Sequence, residues 1–258
     1  MTIQQTLDRM RQMRLSGMVQ AYERDSKTEG ILELSFEDRL ALMVDNEWNL
    51  RETNRIARLR KRAQFRVDAL PEDIDYHHSR GLKRTQMQEL LRCNWIRQGH
   101  NVLISGPTGV GKTFLACAIG NAACQQSLSV RYYRIPQLLR ELLMAQGDGQ
   151  YLSMLKALRK VDLLILDDWG LANLSPSETR DLLEVLEDRS ERRSTLAASQ
   201  LPLEHWYQSL GDSTVADAIM DRIIHNSYKL LLRGESMRKN KRNLGSETET
   251  VRNETLSS

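Results

Sequence analysis

The chain has 258 residues, a formal net charge of +3 and 28% charged residues. This length allows one sizeable hydrophobic core and a small additional domain, and the net charge is too small to indicate a nucleic-acid or membrane partner. The three cysteines, Cys93, Cys117 and Cys124, show neither metal-ligand nor disulfide spacing. No apolar run reaches membrane-spanning length, and the early charges of Asp8 and Arg9 differ from a secretory signal peptide. We therefore expect a cytoplasmic protein that has no membrane partner.

The first 66 residues are predicted to form a small all-helical N-terminal domain. They contain no Pro, and apolar residues such as Phe36, Leu40, Met43 and Val44 recur at helical spacing. The end of this region is strongly basic, and its cations face only Glu52 as a counter-charge. These cations are Arg51, Arg55, Arg58, Arg60, Lys61, Arg62 and Arg66. Such a run can neutralise DNA phosphates, but it is equally typical of a solvated helix face or of a surface that docks on an acidic partner.

Beyond residue 66 the pattern predicts a linker and then an α/β core. Residues 67–84 form the linker, with a loop at 71–80, and a helix over 85–97 approaches the first core strand. The predicted strands cover 100–105, 129–135, 161–168, 195–198 and 227–232, and the predicted helices cover 114–125, 136–145, 175–192, 203–210 and 214–224. Because strands and helices alternate, we expect a parallel sheet covered by helices on both faces, within a core over residues 85–242. Residues 243–258, rich in Ser, Thr, Asn and Glu, are predicted to be a disordered tail.

Residues 106–113 match the phosphate-binding loop pattern G-x-x-x-x-G-K-[ST]. Glycines let the backbone of such a loop curl so that its N–H groups point at the phosphates of a nucleotide. We expect Lys112 to reach the β- and γ-phosphates and the Thr113 hydroxyl to ligate Mg²⁺. The predicted nucleotide-binding residues are Gly106, Pro107, Thr108, Gly109, Val110, Gly111, Lys112, Thr113 and Phe114. Chance would produce this pattern in on the order of one chain in a hundred of this length, so the sequence predicts that the protein binds a nucleoside triphosphate.

A second motif, Val161 to Asp168, is an apolar strand that ends in two carboxylates. In P-loop nucleotidases the first acid holds the Mg²⁺ and the second polarises the attacking water. Taken alone, the pattern favours a core strand capped by solvated acids. Downstream of a phosphate loop, it favours Asp167 as a metal-binding residue and Asp168 as a catalytic residue.

Three further features favour a ring-forming motor over other P-loop proteins. The strand Thr195 to Ala198 ends in Ser199 and Gln200, either of which could sense the γ-phosphate. Arg222, near the end of a helix, could reach the γ-phosphate of a neighbouring subunit, and Arg238 offers another cation after the last strand. Each residue taken alone is more typical of a polar strand end or a surface cation, and only their order along the chain gives them weight.

Together these motifs resemble the IstB/DnaC family of AAA+ ATPases over residues 1–240. The resemblance is carried by Trp95-Ile96, Asn101 to Thr113, Leu166-Asp167-Asp168-Trp169-Gly170, Ser199-Gln200-Leu201-Pro202, Asp221 to Asn226 and Gly234-Glu235-Ser236-Met237-Arg238. The Asp-Asp-Trp-Gly and Ser-Gln-Leu-Pro strings are more similar to the IstB branch, which assists insertion-sequence transposases, than to the helicase loaders. Many AAA+ proteins have Glu at the position of Asp168. The C-terminal helical lid common in AAA+ proteins is expected to be absent, because only residues 233–258 follow the last strand.

The resemblance implies an ATPase that uses ATP and Mg²⁺ and assembles into homo-oligomeric rings or spirals on duplex DNA. It also implies that the protein remodels this DNA and recruits a cognate transposase. The catalytic residues that it implies are Lys112, Asp168, Ser199 and Arg222, with Arg238 as a further nucleotide contact.

Candidate DNA contacts come from two parts of the chain. The basic run contributes Arg51, Arg55, Arg58, Lys61 and Arg62. Initiator-type relatives line a ring pore from the region of the second core strand and of the segment before the acidic strand, which adds Arg131, Arg134, Arg159 and Lys160. Tyr132 and Tyr133 could stack on bases, although adjacent strand residues point to opposite faces, so we expect at least one of them in the core.

Two alternative functions stay open. A DnaC-like helicase loader would share the ATPase chemistry, hold single strands in its pore and grip a replicative helicase through its N-terminal domain. Such loaders often have a metal-binding or docking module there, whereas residues 1–66 contain no Cys or His. A P-loop small-molecule kinase would need an arginine-bearing lid over an acceptor pocket, and no persuasive lid segment is found in the sequence.

Overall fold

The computed structural model describes residues 2–28 and 30–237, except the side chain of Leu32. The chain divides into two compact units, Met1–Arg58 and Leu59–Ser258, and this division falls before the domain boundary predicted at residue 66. The predicted tail, the end of the predicted core at 238–242 and therefore Arg238 lie outside the described residues. Within the described part of the chain, no helix combines the length and the apolarity that crossing a membrane requires.

The first unit is helical, as predicted. Helix α1 covers Ile3–Gln12, helix α2 covers Ser16–Asp25, and helix α3 begins at Phe36 and continues to Ala63 in the second unit. Helix α1 begins with a capping box, in which the Thr2 hydroxyl accepts a hydrogen bond from the Gln5 N–H and the Gln5 side chain accepts one from the Thr2 N–H. These bonds satisfy backbone donors that have no partner inside the helix.

A buried carboxylate joins α2 to α3 in this unit. Glu47 on α3 accepts hydrogen bonds from the backbone N–H groups of Gly17 and Met18, at 2.6 and 3.2 Å, and from Arg51 Nε at 2.6 Å. The two N–H groups belong to the first turn of α2, so the Glu47 side chain caps that helix from outside. Gly17 permits the close approach, because a Cβ at this position would lie 2.6 Å from the Cα of Glu47.

The described strands of the second unit form one parallel sheet. They are β1 (Asn101–Ser105), β2 (Val130–Arg134), β3 (Leu163–Trp169), β4 (Ser194–Ser199) and β5 (Ser227–Leu231). Their order across the sheet is β2-β3-β4-β1-β5, and every neighbouring pair is parallel. All carboxyl ends therefore meet at one edge, where ligands bind in open α/β sheets. The predicted α/β fold is confirmed.

Helices cover both faces of the sheet. The described helices of this unit are α4 (Arg84–Leu91), α5 (Asn94–Arg97), α6 (Lys112–Gln125), α7 (Ile135–Gly147), α8 (Tyr151–Lys160), α9 (Pro176–Glu187) and α10 (Ser213–Ile224). Residues Val102 and Ile104 of β1 join a core cluster with α6, whereas Leu103 joins a second cluster with α7, α9 and α10. Tyr132 and Tyr133 of β2 divide between the two clusters in the same way. Both tyrosines are therefore buried core residues, and neither ring is exposed to stack on bases.

Some elements differ from the predicted pattern for local physical reasons. Helix α8 was not predicted, although Tyr151, Leu155 and Leu158 recur at helical spacing and pack in or against the core. The helix predicted at 85–97 is interrupted at Cys93, whose φ of +57° is left-handed. Helix α9 ends at Glu187 rather than at 192, and the 203–210 segment forms two 3-10 turns rather than one helix.

The segment 67–84, predicted to be a linker, is part of the core. Ala69 and Ile74 are buried in the cluster that contains α6, and the Asn121 side chain of α6 donates a hydrogen bond to the Ala69 carbonyl at 2.6 Å. Arg80 is 2% exposed. Apolar residues in an otherwise polar segment thus anchor it to the sheet and bring it beside the phosphate loop.

Candidate nucleotide site

The phosphate-loop residues follow Ser105 at the carboxyl end of β1 and include Lys112 and Thr113, the first two residues of α6. Gly111, with φ of +94°, precedes α6 in the left-handed region, and a Cβ there would lie 2.6 Å from Nη1 of Arg80. Gly106 passes so close to Leu232 that a Cβ would lie 2.6 Å from the Leu232 carbonyl oxygen. The first-turn N–H groups of a helix have no partner within the helix, so the start of α6 at this loop favours a bound anion.

Lys112 curls back into the loop and is 8% exposed. Its Nζ donates hydrogen bonds to the carbonyl oxygens of Gly106 and Pro107, both at 2.7 Å. Burial lowers the pKa of Lys112, and the nearby charges of Asp167 and Asp168 oppose that change. The ammonium group is thus a confined donor at the loop.

Asp167 at the end of β3 contacts the loop directly and is 1% exposed. Its Oδ2 accepts hydrogen bonds from the Thr113 hydroxyl at 2.7 Å and from the Tyr132 hydroxyl at 2.8 Å. Its Oδ1 accepts one from the backbone N–H of Asp168 at 2.9 Å. A hydroxyl and a carboxylate side by side are the hard oxygen donors that Mg²⁺ prefers, so these residues fit the predicted metal.

Asp168 is held by two arginines. Its Oδ2 accepts hydrogen bonds from Arg134 Nε at 2.5 Å and from Arg66 Nη1 at 3.4 Å. The backbone of Asp168 is left-handed, with φ of +61°, where β3 departs from regular pairing with β4 between Leu166 and Trp169. Arg134, predicted to contact DNA, thus lies in the nucleotide site, because β2 is the sheet neighbour of β3 and its last residue meets the acidic end of that strand.

The two sensor candidates have different partners. The Ser199 hydroxyl is fully buried, donates to the Trp169 carbonyl at 2.7 Å and accepts from the Leu201 N–H at 3.0 Å. The Gln200 side-chain oxygen accepts a hydrogen bond from the Thr108 hydroxyl at 2.7 Å. Gln200 is therefore the candidate whose side chain reaches the phosphate loop, whereas the Ser199 hydroxyl joins the ends of β3 and β4.

These side chains line a cleft of about 610 Å³, a size typical of small-molecule sites. The predicted residues that line it are Thr108, Gly109, Gly111, Lys112, Thr113, Phe114, Asp167, Asp168 and Ser199. The cleft also contains residues to which the sequence pattern assigned no nucleotide role, namely Arg66, Val67, Asp73, Asp75, Arg80, Arg134, Leu171, Ala198 and Met237. Gln200 lines it as well.

The Arg80 guanidinium joins the phosphate loop to the 67–84 segment. Its Nη1 donates to the Val110 carbonyl at 2.9 Å and its Nη2 donates to the Asp75 carbonyl at 2.8 Å. Burial lowers the pKa of Arg80, against the raising effect of the nearby Asp75 carboxylate. In the sequence, the contact of Arg80 with the phosphate loop has one signal only, a cation in the segment predicted to be a linker.

A family model described as IstB-like ATP binding protein matches residues 8–245. The chain belongs to this IstB-like family. The match includes both compact units as well as the loop, both aspartates and the sensor strand, which confirms the resemblance that the motifs indicated.

Relatives in insertion sequences are similar over nearly their whole length. A Sinorhizobium fredii protein named as an insertion sequence ATP-binding protein is 44% identical over 237 residues, which cover 92% of this chain and 97% of that protein. A Pseudomonas fluorescens protein with a similar name is 47% identical over 203 residues, which cover 78% of this chain and 88% of that protein.

Solved structures share the fold of the core. The crystal structure of DnaI superposes with a TM-score of 0.56 at 25% identity, covering 64% of this chain and 90% of that chain. The DnaC helicase loader superposes with a TM-score of 0.51 at 20% identity, covering 61% of this chain and 94% of that chain. The AAA+ architecture predicted for the core is thus confirmed.

In this IstB-like chain, Arg222 lies at the opposite end of β1 from the phosphate loop. The Asn101 side chain, at the first residue of β1, donates to the carbonyl oxygens of Arg222 and Ile223 at 3.0 and 3.3 Å. The Arg222 guanidinium is paired with Glu187 of α9 and donates to the Ala218 carbonyl. The five residues of β1, each about 3.3 Å long, lie between Arg222 and the phosphate loop. Arg222 therefore does not line the cleft of its own chain.

The remaining DNA candidates of the IstB-like chain differ in their neighbours. Arg51 pairs with Glu47, Arg55 lies 4.0 Å from Glu52, and the Arg58 guanidinium donates to the Asn54 carbonyl of its own helix. Arg131 donates to the Arg62 carbonyl at 2.8 Å and to the Tyr133 hydroxyl at 3.1 Å. The exposed members are Arg51, Arg55, Arg58, Lys61, Arg62, Arg159 and Lys160.

Proposed function

We propose that this protein is a cytoplasmic AAA+ ATPase that oligomerises on target DNA, remodels it and assists a transposase in insertion-sequence transposition. The observation that carries the proposal is the direct contact between the phosphate loop and the acidic strand, the Thr113 to Asp167 hydrogen bond of 2.7 Å. Membership of the IstB-like family and the names of the insertion-sequence relatives support it.

ATP would bind in the cleft with its phosphates in the loop. Lys112 would exchange the carbonyl oxygens of Gly106 and Pro107 for phosphate oxygens, which is a favourable exchange for a confined ammonium group. Thr113 and Asp167 would hold Mg²⁺, which supplies charge neutralisation for the phosphates. Gln200 would contact the γ-phosphate from the end of β4, and Arg238 would add a further cation to the site.

Asp168 would orient and polarise the water that attacks the γ-phosphate. In the present arrangement its Oδ2 already accepts hydrogen bonds from Arg134 and Arg66. A carboxylate oxygen with two guanidinium donors has fewer lone pairs left for a hydrogen bond from water. Hydrolysis would therefore follow a rearrangement of these arginines, for which an anionic phosphate group is an alternative partner.

Assembly would bring a neighbour's Arg222 to the nucleotide. The position of Arg222 at the far end of β1 from its own loop favours action in trans rather than in cis. A subunit interface that contains ATP makes assembly depend on nucleotide state, and many subunits on one duplex would give tight, salt-sensitive and largely sequence-independent binding.

DNA or transposase contacts would come from the helical N-terminal domain and from basic surfaces of the core. Arg51, Arg55, Arg58 and Arg62 recur on α3 at spacings of four, three and four residues, which place them on one helix face. Exposed arginines on one face are suited to the phosphates of a duplex. Arg159 and Lys160 lie at the exposed end of α8.

The test is nucleotide-dependent assembly on duplex DNA. Lys112→Ala should weaken ATP binding by about 10- to 150-fold, because a hydrogen-bonded charge contributes about 1.5–3 kcal/mol. At an ATP concentration close to the wild-type dissociation constant, electron microscopy and sedimentation should show assembly of the wild type on DNA and little assembly of the variant. Lys156→Ala, which removes an exposed lysine of α8, is the matched control and should assemble normally. Assembly of Lys112→Ala at wild-type ATP concentrations would refute the loop assignment.

A helicase loader is the second candidate, favoured by the similarity of the core fold to the DnaC helicase loader. The two functions share the ATP site, so Lys112→Ala does not separate them. Co-sedimentation separates them, since the proposed function requires ATP-dependent binding to duplex DNA and to a cognate transposase, and a loader requires binding to a replicative helicase. Turnover that DNA stimulates and small acceptors leave unchanged would exclude a small-molecule kinase.

A further inference from the structure

Tyr132 does not line the cleft, yet it contacts the buried aspartate of the site. It is 5% exposed on β2, and its hydroxyl donates to Oδ2 of Asp167 at 2.8 Å. The same oxygen accepts a hydrogen bond from Thr113 at 2.7 Å. Because Asp167 is 1% exposed, bulk water does not replace a donor that is removed from it, and the loss of one hydrogen bond acts on the carboxylate directly.

The tyrosine is the fixed donor of this pair. A phenol hydroxyl is a hydrogen-bond donor, and an ionised carboxylate can only accept, so the 2.8 Å contact runs from Tyr132 to Asp167. Its ring is packed in the core cluster that contains α6, which holds the hydroxyl in one place. The Thr113 hydroxyl, in contrast, lies on the phosphate loop and would also ligate Mg²⁺ when the metal binds.

We propose that Tyr132 is a positioning residue whose hydroxyl orients Asp167 and thereby sets the affinity of the nucleotide site for Mg²⁺. The proposal rests on the function proposed above, because it requires Asp167 to hold the metal that accompanies ATP. Mg²⁺ demands near-ideal octahedral geometry, so a small rotation of this carboxylate weakens binding. Removal of groups that orient metal ligands typically lowers metal affinity by about 10- to 100-fold.

Tyr132→Phe removes this hydroxyl alone, and Tyr133→Phe is the matched control. The Tyr133 hydroxyl accepts a hydrogen bond from Arg131, and its ring packs in the cluster on the other face of the sheet. Binding of a fluorescent, non-hydrolysable ATP analogue is measured on the full-length protein across a range of Mg²⁺ concentrations, with EDTA as the metal-free reference.

We expect Tyr132→Phe to raise the midpoint Mg²⁺ concentration about tenfold, with binding in EDTA unchanged and full recovery at high Mg²⁺. Tyr133→Phe should keep the wild-type midpoint. Asp167→Asn provides a second test, because Tyr132→Phe should have no additional effect on the midpoint in that background if the hydroxyl acts through the carboxylate.

An unchanged midpoint in Tyr132→Phe, an equal shift in both tyrosine variants, or an undiminished effect in the Asp167→Asn background would each overturn the proposal. A Tyr132→Phe protein that is unfolded at the assay temperature would also overturn it, since the hydroxyl would then serve the fold. If the wild type binds the analogue equally with and without Mg²⁺, the proposed metal role of Asp167 fails. A Mg²⁺-dependent wild type with an unresponsive Tyr132→Phe refutes only this inference.

Discussion

Glu47 in the N-terminal unit and Asp167 in the core are both buried carboxylates, 8% and 1% exposed, and each accepts three hydrogen bonds. The donors of Glu47 are two backbone N–H groups of α2 and a guanidinium one turn away on α3. The donors of Asp167 are two hydroxyls and one N–H beside the phosphate loop. Both carboxylates are therefore buried and hydrogen-bonded. They differ in the kind of donor that contacts them and in that, of the two, only Asp167 lines the cleft.

This difference leads to opposite expectations for mutations in the two units. Hydroxyl donors keep lone pairs that can face a metal, whereas backbone N–H groups in the first turn of a helix have only the one hydrogen to donate. Substitutions of Asp167 and of the residues that contact it should therefore alter nucleotide binding or hydrolysis and leave the fold intact. Changes at Glu47 should loosen the N-terminal unit and leave nucleotide binding by the core intact.

The largest effect is expected for Arg222→Ala. An arginine that acts in trans on a transferred phosphoryl group is worth about 10³–10⁵ in rate, so ATP turnover should fall by that factor while the monomer binds ATP normally. Glu187→Gln is the matched control, because it breaks the same ion pair and keeps the guanidinium. Turnover is measured by phosphate release at saturating ATP and DNA.

Mixing Arg222→Ala with Lys112→Ala protein sharpens this test. Interfaces that pair an intact loop with an intact arginine would re-form in the mixture, so partial recovery of turnover indicates action in trans. No recovery at any ratio, with both variants folded and able to associate, would leave Arg222 as a partner of Glu187 alone.

A smaller loss is expected for Asp168→Asn. Removing a group that accepts a proton in the transition state typically costs about 10²–10⁴ in rate, whereas ATP affinity should stay within a few-fold because Lys112 and Asp167 are untouched. Long-lived complexes with DNA should accumulate, and their lifetimes are measured by competition with unlabelled duplex. Asp162→Asn is the matched control at the other end of the same strand, where the carboxylate accepts from Ser129 and Arg193. An equal loss of ATP binding and turnover in Asp168→Asn would instead indicate a structural role.

The parts of the site that the sequence predicts are local in the chain. The loop from Gly106 to Thr113 and the acidic strand end carry their own signals, because glycine spacing and an apolar run before two acids are readable without knowledge of the fold. The parallel sheet follows from the alternation of strands and helices, and the structure confirms it. Helix α8 shows that even local signals can be missed, since its apolar residues do recur at helical spacing.

Contacts between strands were not predictable in this way. Arg134 reaches Asp168, and Tyr132 reaches Asp167, only because β2 pairs with β3 in a register that sets Arg134 opposite Asp167. Nothing in the spacing of these residues specifies that register. Arg80 contacts Val110 because a segment predicted to be a linker packs on the core, which depends on tertiary burial of Ala69 and Ile74 rather than on any motif.

The smallest effect in this comparison is expected for Glu47→Gln, which should destabilise the N-terminal unit by about 1–3 kcal/mol, the cost of leaving a hydrogen-bonded group without its charged partner. Hydrogen exchange of the α2 backbone in the full-length protein measures the loss, with exchange of α9 as an internal reference. Asp45→Asn, which changes an exposed carboxylate of α3, is the control. ATP affinity should stay at the wild-type value.

The pH dependence of α2 exchange gives the sign of this contribution. Burial by itself would raise the pKa of Glu47, but the hydrogen bonds from Arg51, Gly17 and Met18 and the charge of Arg51 outweigh it, so the pKa is lowered in the folded protein. A carboxylate with a lowered folded pKa contributes stability that is fully present above its unfolded pKa of about 4.3 and is lost as the pH falls through the folded value. Protection of α2 should therefore fall below about pH 4 in the wild type and stay flat in Glu47→Gln. Parallel curves for the two proteins would mean that Arg51 and the α2 N–H groups do not stabilise the charged form, and Glu47 would lose its role as the link between α2 and α3.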